Sequence, residues 1–226
     1  MQGKYTKSKS KDPDILTPYY KLILIGENEV GKTQILHRLN DENFETKYSP
    51  TFGIDFRIKS IFGDKGKLLY DLQILDIAGE TDEIHLKIEN DFINDANAFL
   101  CLFDLSDDFS LDRAIKITEQ YKSKINCDPN SKRWYLVGNK KDLDIHGKGV
   151  PYFYKAKFDN YFEVSCKTSK KEEFQKIIDA VTYDLNLTKK ENDNIENLED
   201  NKSSETFEID FSKNHGTLFD EECNVF

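Results

Sequence analysis

Residues 26–33, with the sequence GENEVGKT, form a motif that could bind phosphate. They fit the pattern G-x-x-x-x-G-K-[ST], in which the backbone N–H groups of a loop and a lysine surround phosphate oxygens. The apolar run YKLILIG predicts a strand before the loop, and a helical pattern opens at Thr33. We therefore expect Lys32 to reach β- and γ-phosphate oxygens, Thr33 to hold Mg²⁺, and the N–H groups of residues 29–33 to face the β-phosphate.

A second polar pair, Asn139 and Asp142 in VGNKKD, lies just past another predicted strand. Ligands of α/β proteins bind at this carboxyl edge of the sheet. The Asp142 carboxylate can accept N–H bonds from N1 and the exocyclic amine of guanine, a pair that adenine does not offer in that geometry. Alone, NKKD could be an ordinary surface turn, which is the more common structure of such a sequence. Its position downstream of the phosphate loop favours guanine recognition.

The elements that carry these residues alternate between strands and helices. AFLCLFDL, RWYLVGN and YFEVS are typical of buried strands, and they are separated by helical patterns such as LDRAIKITEQYKSKI and KKEEFQKIIDAVTYDL. IDFRIKSIF and LLYDLQIL flank the turn GDKGK and predict a hairpin. Ser169 and Glu172 fit a capping box for the last helix. The pattern predicts an α/β fold with a mostly parallel sheet covered on both faces.

Composition limits the classes of protein to consider. The net charge is −10, which argues against nucleic acid as a partner. The four cysteines show no C-x-x-C spacing, which argues against a zinc site or a disulfide framework and suits a reducing compartment. The cysteine pattern therefore predicts an intracellular protein. No run of 18 apolar residues occurs, so we expect no membrane span.

The length of 226 residues favours one domain with tails. We predict a flexible basic extension at 1–18, a globular domain at 19–187 and an acidic disordered tail at 188–226. The tail contains 4 Lys against 11 Asp or Glu, a charge of 4 − 11 = −7, with little periodicity.

From about Tyr19 to Leu187 the chain resembles the Ras superfamily of small GTPases, and Rab proteins most closely. KLILIGENEVGKT, SPTFGIDF, LQILDIAGE, NKKD and SCK occur in family order. FGIDF and the hairpin lengthened by GDKGK favour Rab over Ras. The resemblance implies the P-loop GTPase fold, with a six-stranded, mostly parallel sheet and helices on both faces. It also implies GTP and GDP as ligands, Mg²⁺ as cofactor and hydrolysis of GTP to GDP.

The resemblance also assigns roles to residues. It implies that Phe44 stacks on the guanine ring, that Thr51 closes on Mg²⁺ and γ-phosphate, that Asp76 holds Mg²⁺ through water, and that the Gly79 N–H contacts γ-phosphate. The stem of Lys140 would cover the base. The expected nucleotide-binding set is Asn28, Glu29, Val30, Gly31, Lys32, Thr33, Gln34, Phe44, Thr51, Gly79, Asn139, Lys140, Asp142, Ser165, Cys166 and Lys167. The expected metal set is Thr33, Thr51 and Asp76, and the expected catalytic set is Glu80, Lys32 and Thr51.

Three positions depart from the family pattern around the γ-phosphate. Glycine is usual at Glu29 and glycine or serine at Asn28, and Glu80 replaces the glutamine that orients water. A carboxylate can accept a hydrogen bond from water, but it cannot donate one to the γ-phosphate, and its charge opposes the charge that develops there. We therefore expect slow hydrolysis. Two alternatives stay open: Glu80 serves adequately, or the chain is a pseudo-GTPase scaffold with little turnover.

The chain ends in CNVF, a C-a-a-X pattern whose terminal Phe indicates geranylgeranylation of Cys223. An unmodified thiol is the alternative, because FDEE before it is acidic and Asn224 is not aliphatic. One prenyl chain gives only marginal membrane attachment. We expect cycling between the cytosol and the cytoplasmic face of an endomembrane or the plasma membrane, with a prenyl-binding solubilising factor.

The resemblance further implies a monomer that regulates vesicle traffic or signalling. Residues 51–56 and 79–94 would contact an exchange factor, an activating protein and effectors. We expect no nucleic acid among its partners.

Overall fold

The computed structural model describes residues 18–47, 51, 53–77, 92–145, 147 and 149–204, with the backbone alone at 64 and 188–204. Six strands form one sheet in the order β2-β3-β1-β4-β5-β6. They are β1 (Tyr19–Gly26), β2 (Ile54–Phe62), β3 (Leu68–Ile77), β4 (Ala98–Asp104), β5 (Arg133–Asn139) and β6 (Asn160–Glu163). Strand β2 pairs antiparallel with β3 and every other pairing is parallel. This confirms the predicted six-stranded, mostly parallel sheet.

In the described part of the chain, three helices lie in connections between strands and the last follows β6. They are α1 (Lys32–Leu39), α2 (Ser110–Lys124), α3 (Tyr152–Lys155) and α4 (Lys171–Ser204), with single 3-10 turns at Asp64–Gly66, Pro129–Ser131 and Lys141–Leu143. The sequence patterns indicated α1, α2 and α4. Helix α3 escaped notice because four residues are too few to show a helical period. None of the helices within the described residues is both long and apolar enough to cross a membrane.

Two hydrophobic clusters, one on each face, hold the helices against the sheet. Alternate residues of β1 point to opposite faces, so Leu22 joins one cluster and Ile23 the other. Leu36 of α1 and Ile177 of α4 pack in the first cluster, and Ala114 of α2 packs in the second. Helices therefore cover both faces, as predicted.

The chain divides into two units, Met1–Leu187 and Thr188–Phe226. Helix α4 continues to Ser204, which differs from the disordered tail that composition predicts from residue 188. Adding a residue to an existing helix avoids the cost of nucleation, so a helix can extend into a segment whose composition alone does not predict one. Residues 1–17 and 205–226 lie outside the described residues, so the flexible extension and the rest of the tail stay predictions there.

Candidate functional site

The phosphate loop joins the end of β1 to the start of α1, and neither of its two glycines leaves room for a side chain. A Cβ on Gly26 would lie 2.5 Å from the Leu102 carbonyl oxygen, and a Cβ on Gly31 would lie 2.4 Å from Asn139 Nδ2. Gly31 also has φ 96, in the left-handed region that favours glycine. The loop is therefore pressed against the ends of β4 and β5, which bring it to the carboxyl edge of the sheet.

Lys32 bends back over this loop. Its Nζ donates to the carbonyl oxygens of Gly26 at 3.1 Å and Glu27 at 2.9 Å. Burial lowers the pKa of the Lys32 ammonium, an effect that Asp76 and Glu27 partly oppose. The Lys32 ammonium is therefore a partly desolvated cation, and an anion would be its strongest additional partner.

The acidic residues of the loop have distinct positions. The Glu27 carboxylate is ion-paired with Arg113 of α2, which also pairs with Asp107. Asn28 and Glu29 are exposed at the tip, and Glu29 has φ 64 although it is not glycine. No described contact directs either carboxylate toward the phosphate-binding side of the loop: Glu27 is held by Arg113, and Glu29 faces solvent.

Three oxygen-bearing side chains converge beside the loop. The Thr33 hydroxyl donates to Asp76 Oδ2 at 2.5 Å, and the Thr51 hydroxyl lies 2.8 Å from Thr33 Oγ1 and 3.3 Å from Asp76 Oδ2. Asp76 is 1% exposed, and its Oδ1 has no hydrogen-bond partner among the described residues. A buried carboxylate oxygen without a partner, next to two hydroxyls, fits a small hard cation such as Mg²⁺. The structure therefore brings together all three residues of the predicted metal set.

Asn139 joins the phosphate loop to the loop after β6. Its Nδ2 donates to the Val30 carbonyl oxygen at 2.8 Å, and its Oδ1 accepts the Cys166 N–H at 3.2 Å. Only 3% of its surface is exposed. Its amide is thus used to hold two loops in register, which the nucleotide-binding role expected for Asn139 did not anticipate.

Asp142 and Ser165 lie side by side at the same edge. The Ser165 hydroxyl is 2.6 Å from Asp142 Oδ1. Lys140 precedes them in a left-handed conformation, and its Nζ lies 2.7 Å from Asp104 Oδ2. Burial disfavours the charged form of Asp104, but the bonds from Lys140 and Ser106 outweigh it and lower the pKa of that carboxyl. The base-recognition residues predicted in two separate segments therefore meet in one place.

Cys166 contributes its backbone to this region. Burial raises the pKa of its thiol to about 12, so the thiol is protonated at neutral pH. The neighbouring Lys167 N–H lies 3.2 Å from Ser165 Oγ.

Gln34 lies in the first turn of α1, and Phe44 lies in the segment that follows this helix. Gln34 Oε1 accepts the Glu45 N–H at 3.0 Å, and Phe44 is half-buried against the first hydrophobic cluster. The remaining predicted residues, Gly79, Glu80 and Cys223, lie outside the described residues, as does most of 79–94.

Sequence reasoning missed several residues that support this site. Arg113 was missed because nothing in its local pattern distinguishes it from a solvated helix residue. Glu173 was missed by one position: its carboxylate accepts the Lys170 N–H at 3.0 Å and the Ser169 hydroxyl at 2.9 Å, where the sequence suggested Glu172. The S-x-x-E pattern was a correct signal with the wrong register, because α4 begins at Lys171.

A glycine-rich phosphate loop after β1, a buried aspartate in β3 and an Asn–Asp pair after β5 define a P-loop nucleotide-binding protein of the GTPase type. The sequence matches the Ras family over residues 21–184. The chain is 36% identical to Ras-related protein RABE1e of Arabidopsis thaliana over 161 residues, which is 68% of this chain and 69% of that protein. It is 30% identical to Ras-related protein Rab-3B of Homo sapiens over 169 residues, 72% of this chain and 74% of that protein. It is also 36% identical to Ras-related protein RAB1BV of Beta vulgaris over 157 residues, 66% of this chain and 68% of that protein.

The chain belongs to the Ras family. Within it the chain is Rab-like, and it is a small GTPase that hydrolyses GTP.

Proposed function

We propose that this protein is a Mg²⁺-dependent guanine-nucleotide switch with slow intrinsic hydrolysis, acting in vesicle traffic or signalling. The observation that carries the proposal is the convergence of Thr33, Thr51 and Asp76 beside Lys32. Thr51 belongs to the segment expected to contact partners, so its hydroxyl connects that segment to the metal site.

Phosphate binding rests on the loop and its lysine. The backbone N–H groups of residues 29–33 would face the β-phosphate, and Lys32 would exchange part of its carbonyl contacts for phosphate oxygens. Thr33, Thr51 and Asp76 would hold Mg²⁺, Asp76 through water. When bound, the ion offsets negative charge on the β- and γ-phosphates.

Guanine selection rests on Asp142. Its carboxylate, held by Ser165 at 2.6 Å, retains lone pairs for N1–H and the exocyclic amine of guanine. Lys140 would cover one face of the base with its stem, and Phe44 would stack on the ring.

Slow hydrolysis is proposed from charge at the γ-phosphate edge. Glu29 is exposed at the loop tip, and Glu80 follows Gly79 in the segment outside the described residues. Both carboxylates would oppose the charge that develops in the transition state.

A titration tests nucleotide binding. Purified protein is titrated with GDP, GTP, ADP and ATP, with Mg²⁺ or with EDTA. We expect tight binding of GDP and GTP alone, strengthened by Mg²⁺, and loss of the Mg²⁺ effect in Asp76→Asn but not in the control Asp71→Asn on the same strand. Equal affinity for ATP would refute guanine selection, and absence of guanine-nucleotide binding would instead favour the scaffold alternative.

Single-turnover hydrolysis tests the rate. Glu29→Gly and Glu80→Gln should each raise the rate by about tenfold, since one unit of like charge at ~6 Å and effective ε ~20 costs on the order of 2–3 kcal/mol before solvent screening. The exposed Glu172→Gln on α4 is the control. A wild-type rate that already equals that of an ordinary Rab would rule out the slow-hydrolysis proposal.

Membrane cycling is proposed through prenylation of Cys223, with Lys4, Lys7, Lys9 and Lys11 as a weak second contact to anionic lipid. A prenyl-binding partner would return the protein to the cytosol. In cell fractionation, Cys223→Ser should become soluble, while the control Cys127→Ser, which changes an exposed cysteine of the globular domain, should leave the distribution unchanged. A Cys223→Ser protein that remains on membranes would refute the lipid anchor.

A further inference from the structure

The proposed guanine-reading carboxylate is connected by hydrogen bonds to the first turn of α4. Ser165 is 1% exposed, and its hydroxyl oxygen receives the N–H groups of Lys167 at 3.2 Å and Thr168 at 3.0 Å. A hydroxyl has one proton to donate, and the remaining partner is Asp142 Oδ1 at 2.6 Å. The two N–H bonds therefore direct the Ser165 proton at Asp142.

Ser169 repeats this arrangement one turn later. Its hydroxyl oxygen accepts the Ser165 N–H at 3.0 Å, and its proton goes to Glu173 Oε2 at 2.9 Å. The Ser169 N–H in turn donates to the Ser165 carbonyl oxygen at 2.9 Å. Ser165 and Ser169 thus form a closed pair of hydrogen bonds, which fixes the backbone that carries the Ser165 hydroxyl.

Two helices anchor this pair. Glu173 lies in the first turn of α4, and its second oxygen accepts the Lys170 N–H at 3.0 Å. From α1, Arg38 Nη2 donates to the Ser169 carbonyl oxygen at 2.7 Å, while its guanidinium lies 4.8 Å from the centre of the Phe174 ring. Phe174 is fully buried, so Arg38 links the loop that contains Ser165 and Ser169 to the hydrophobic core.

We propose that Ser169 and Glu173 are positioning residues for guanine specificity: they orient the Asp142 carboxylate through Ser165. The inference rests on the proposed guanine-binding function. Guanine offers Asp142 two N–H donors and hypoxanthine, which lacks the exocyclic amine, offers one. A correctly oriented Asp142 carboxylate binds GDP more tightly than IDP, because it also accepts a hydrogen bond from the exocyclic amine. A carboxylate that is free to rotate would lose this preference before it loses binding itself.

The test compares the affinities of GDP, IDP and ADP for the full chain. We expect Ser169→Ala to lower the ratio of GDP to IDP affinity by about fivefold to tenfold. This is less than the roughly 10-fold to 150-fold of one complete hydrogen bond to a charged group, because the change loosens the carboxylate without removing it. Ser169→Thr keeps the hydroxyl and should keep the ratio. Glu173→Gln keeps one acceptor of two and should give an intermediate ratio. The control is Asp179→Ala, which removes an exposed pair with Gln175 on the same helix.

The outcomes separate the inference from the proposed function. Equal weakening of GDP and IDP binding by Ser169→Ala, with an unchanged ratio, would show a merely structural role and overturn the inference, as would no change at all. If Ser169→Ala does not fold, the ratio in Glu173→Gln decides in the same way. Wild-type protein without preference for GDP over ADP would instead overturn the proposed function and the inference with it.

Discussion

Glu27 in the phosphate loop is ion-paired with Arg113 in the first turn of α2, 86 positions away in the chain. The same guanidinium also binds Asp107. Arginine suits this role because its planar fork can serve two carboxylates at once. The pair keeps a negative charge next to the phosphate loop compensated from outside the cradle, so the loop can contain Glu27 and still attract phosphate.

Arg113→Gln should therefore speed the release of GDP. The uncompensated Glu27 carboxylate would repel phosphate, but both side chains are more than one-third exposed, so we expect an effect of about twofold to fivefold that salt weakens. Dissociation of a fluorescent GDP at two ionic strengths measures it. The double change Glu27→Gln/Arg113→Gln should restore the wild-type rate. Identical rates in all three proteins would show that the pair does not affect the nucleotide.

Gly31→Ala should abolish the architecture of the site. The added Cβ would lie 2.4 Å from Asn139 Nδ2 and displace the side chain that joins Val30 to Cys166. Together with the strain at φ 96, we expect a loss of about 3 kcal/mol in the free energy of unfolding. Urea denaturation provides the measurement.

The matched control for this change is Gly66→Ala. Gly66 has φ 71 but no atom within 4 Å of an added Cβ, so only the backbone cost of about 1 kcal/mol should appear. Equal losses at the two positions would contradict the role given to the Asn139 contact.

Glu29→Gly should not destabilise the fold. A non-glycine residue in the left-handed region lowers the free energy of unfolding by about 1–2 kcal/mol, and glycine removes this strain. Glycine also lowers the free energy of unfolding by about 1 kcal/mol, because it increases the entropy of the unfolded chain. The net expectation for Glu29, at φ 64, is a gain of about 0–1 kcal/mol on urea denaturation. Glu29→Ala removes the charge but keeps the strained backbone. Comparing the alanine and glycine variants therefore separates the effect of the charge from the effect of the strain. A clear loss in the glycine variant would mean that the Glu29 side chain makes a stabilising contact.

Lys32 should give the nucleotide-free protein a pH-dependent stability. Because burial lowers its pKa in the folded state, the folded protein binds fewer protons than the unfolded chain between that lowered pKa and the ordinary 10.5. Stability rises with pH wherever the unfolded state binds more protons. The free energy of unfolding of wild type relative to Lys32→Met should therefore increase as pH rises toward 10.5. Denaturation without nucleotide at several alkaline pH values checks this, and a decrease would contradict the cause assigned to the shift.

The fold was predictable from the sequence to the level of strand number and mostly parallel order. Buried strands such as YKLILIG read as continuous apolar runs, and the hairpin turn GDKGK closes with the Gly63 N–H 2.9 Å from the Lys67 carbonyl oxygen. These signals are local in the chain. Helix α3 and the start of α4 at Lys171 were not predictable, because one is too short for a period and the other depends on which acid caps it.

The sequence alone determined which chemistry the site offers: a lysine and hydroxyls for phosphate and metal, and a carboxylate for guanine. Residue types and spacing suffice for this, because each motif is a short stretch whose backbone and side chains act together. Only the tertiary structure decided how those groups are supported. Arg113 reaches Glu27, Arg38 reaches Ser169 and Asn139 reaches Val30 because parallel strands end at one edge of the sheet. Contacts between distant segments depend on strand order and helix packing, which no local pattern encodes.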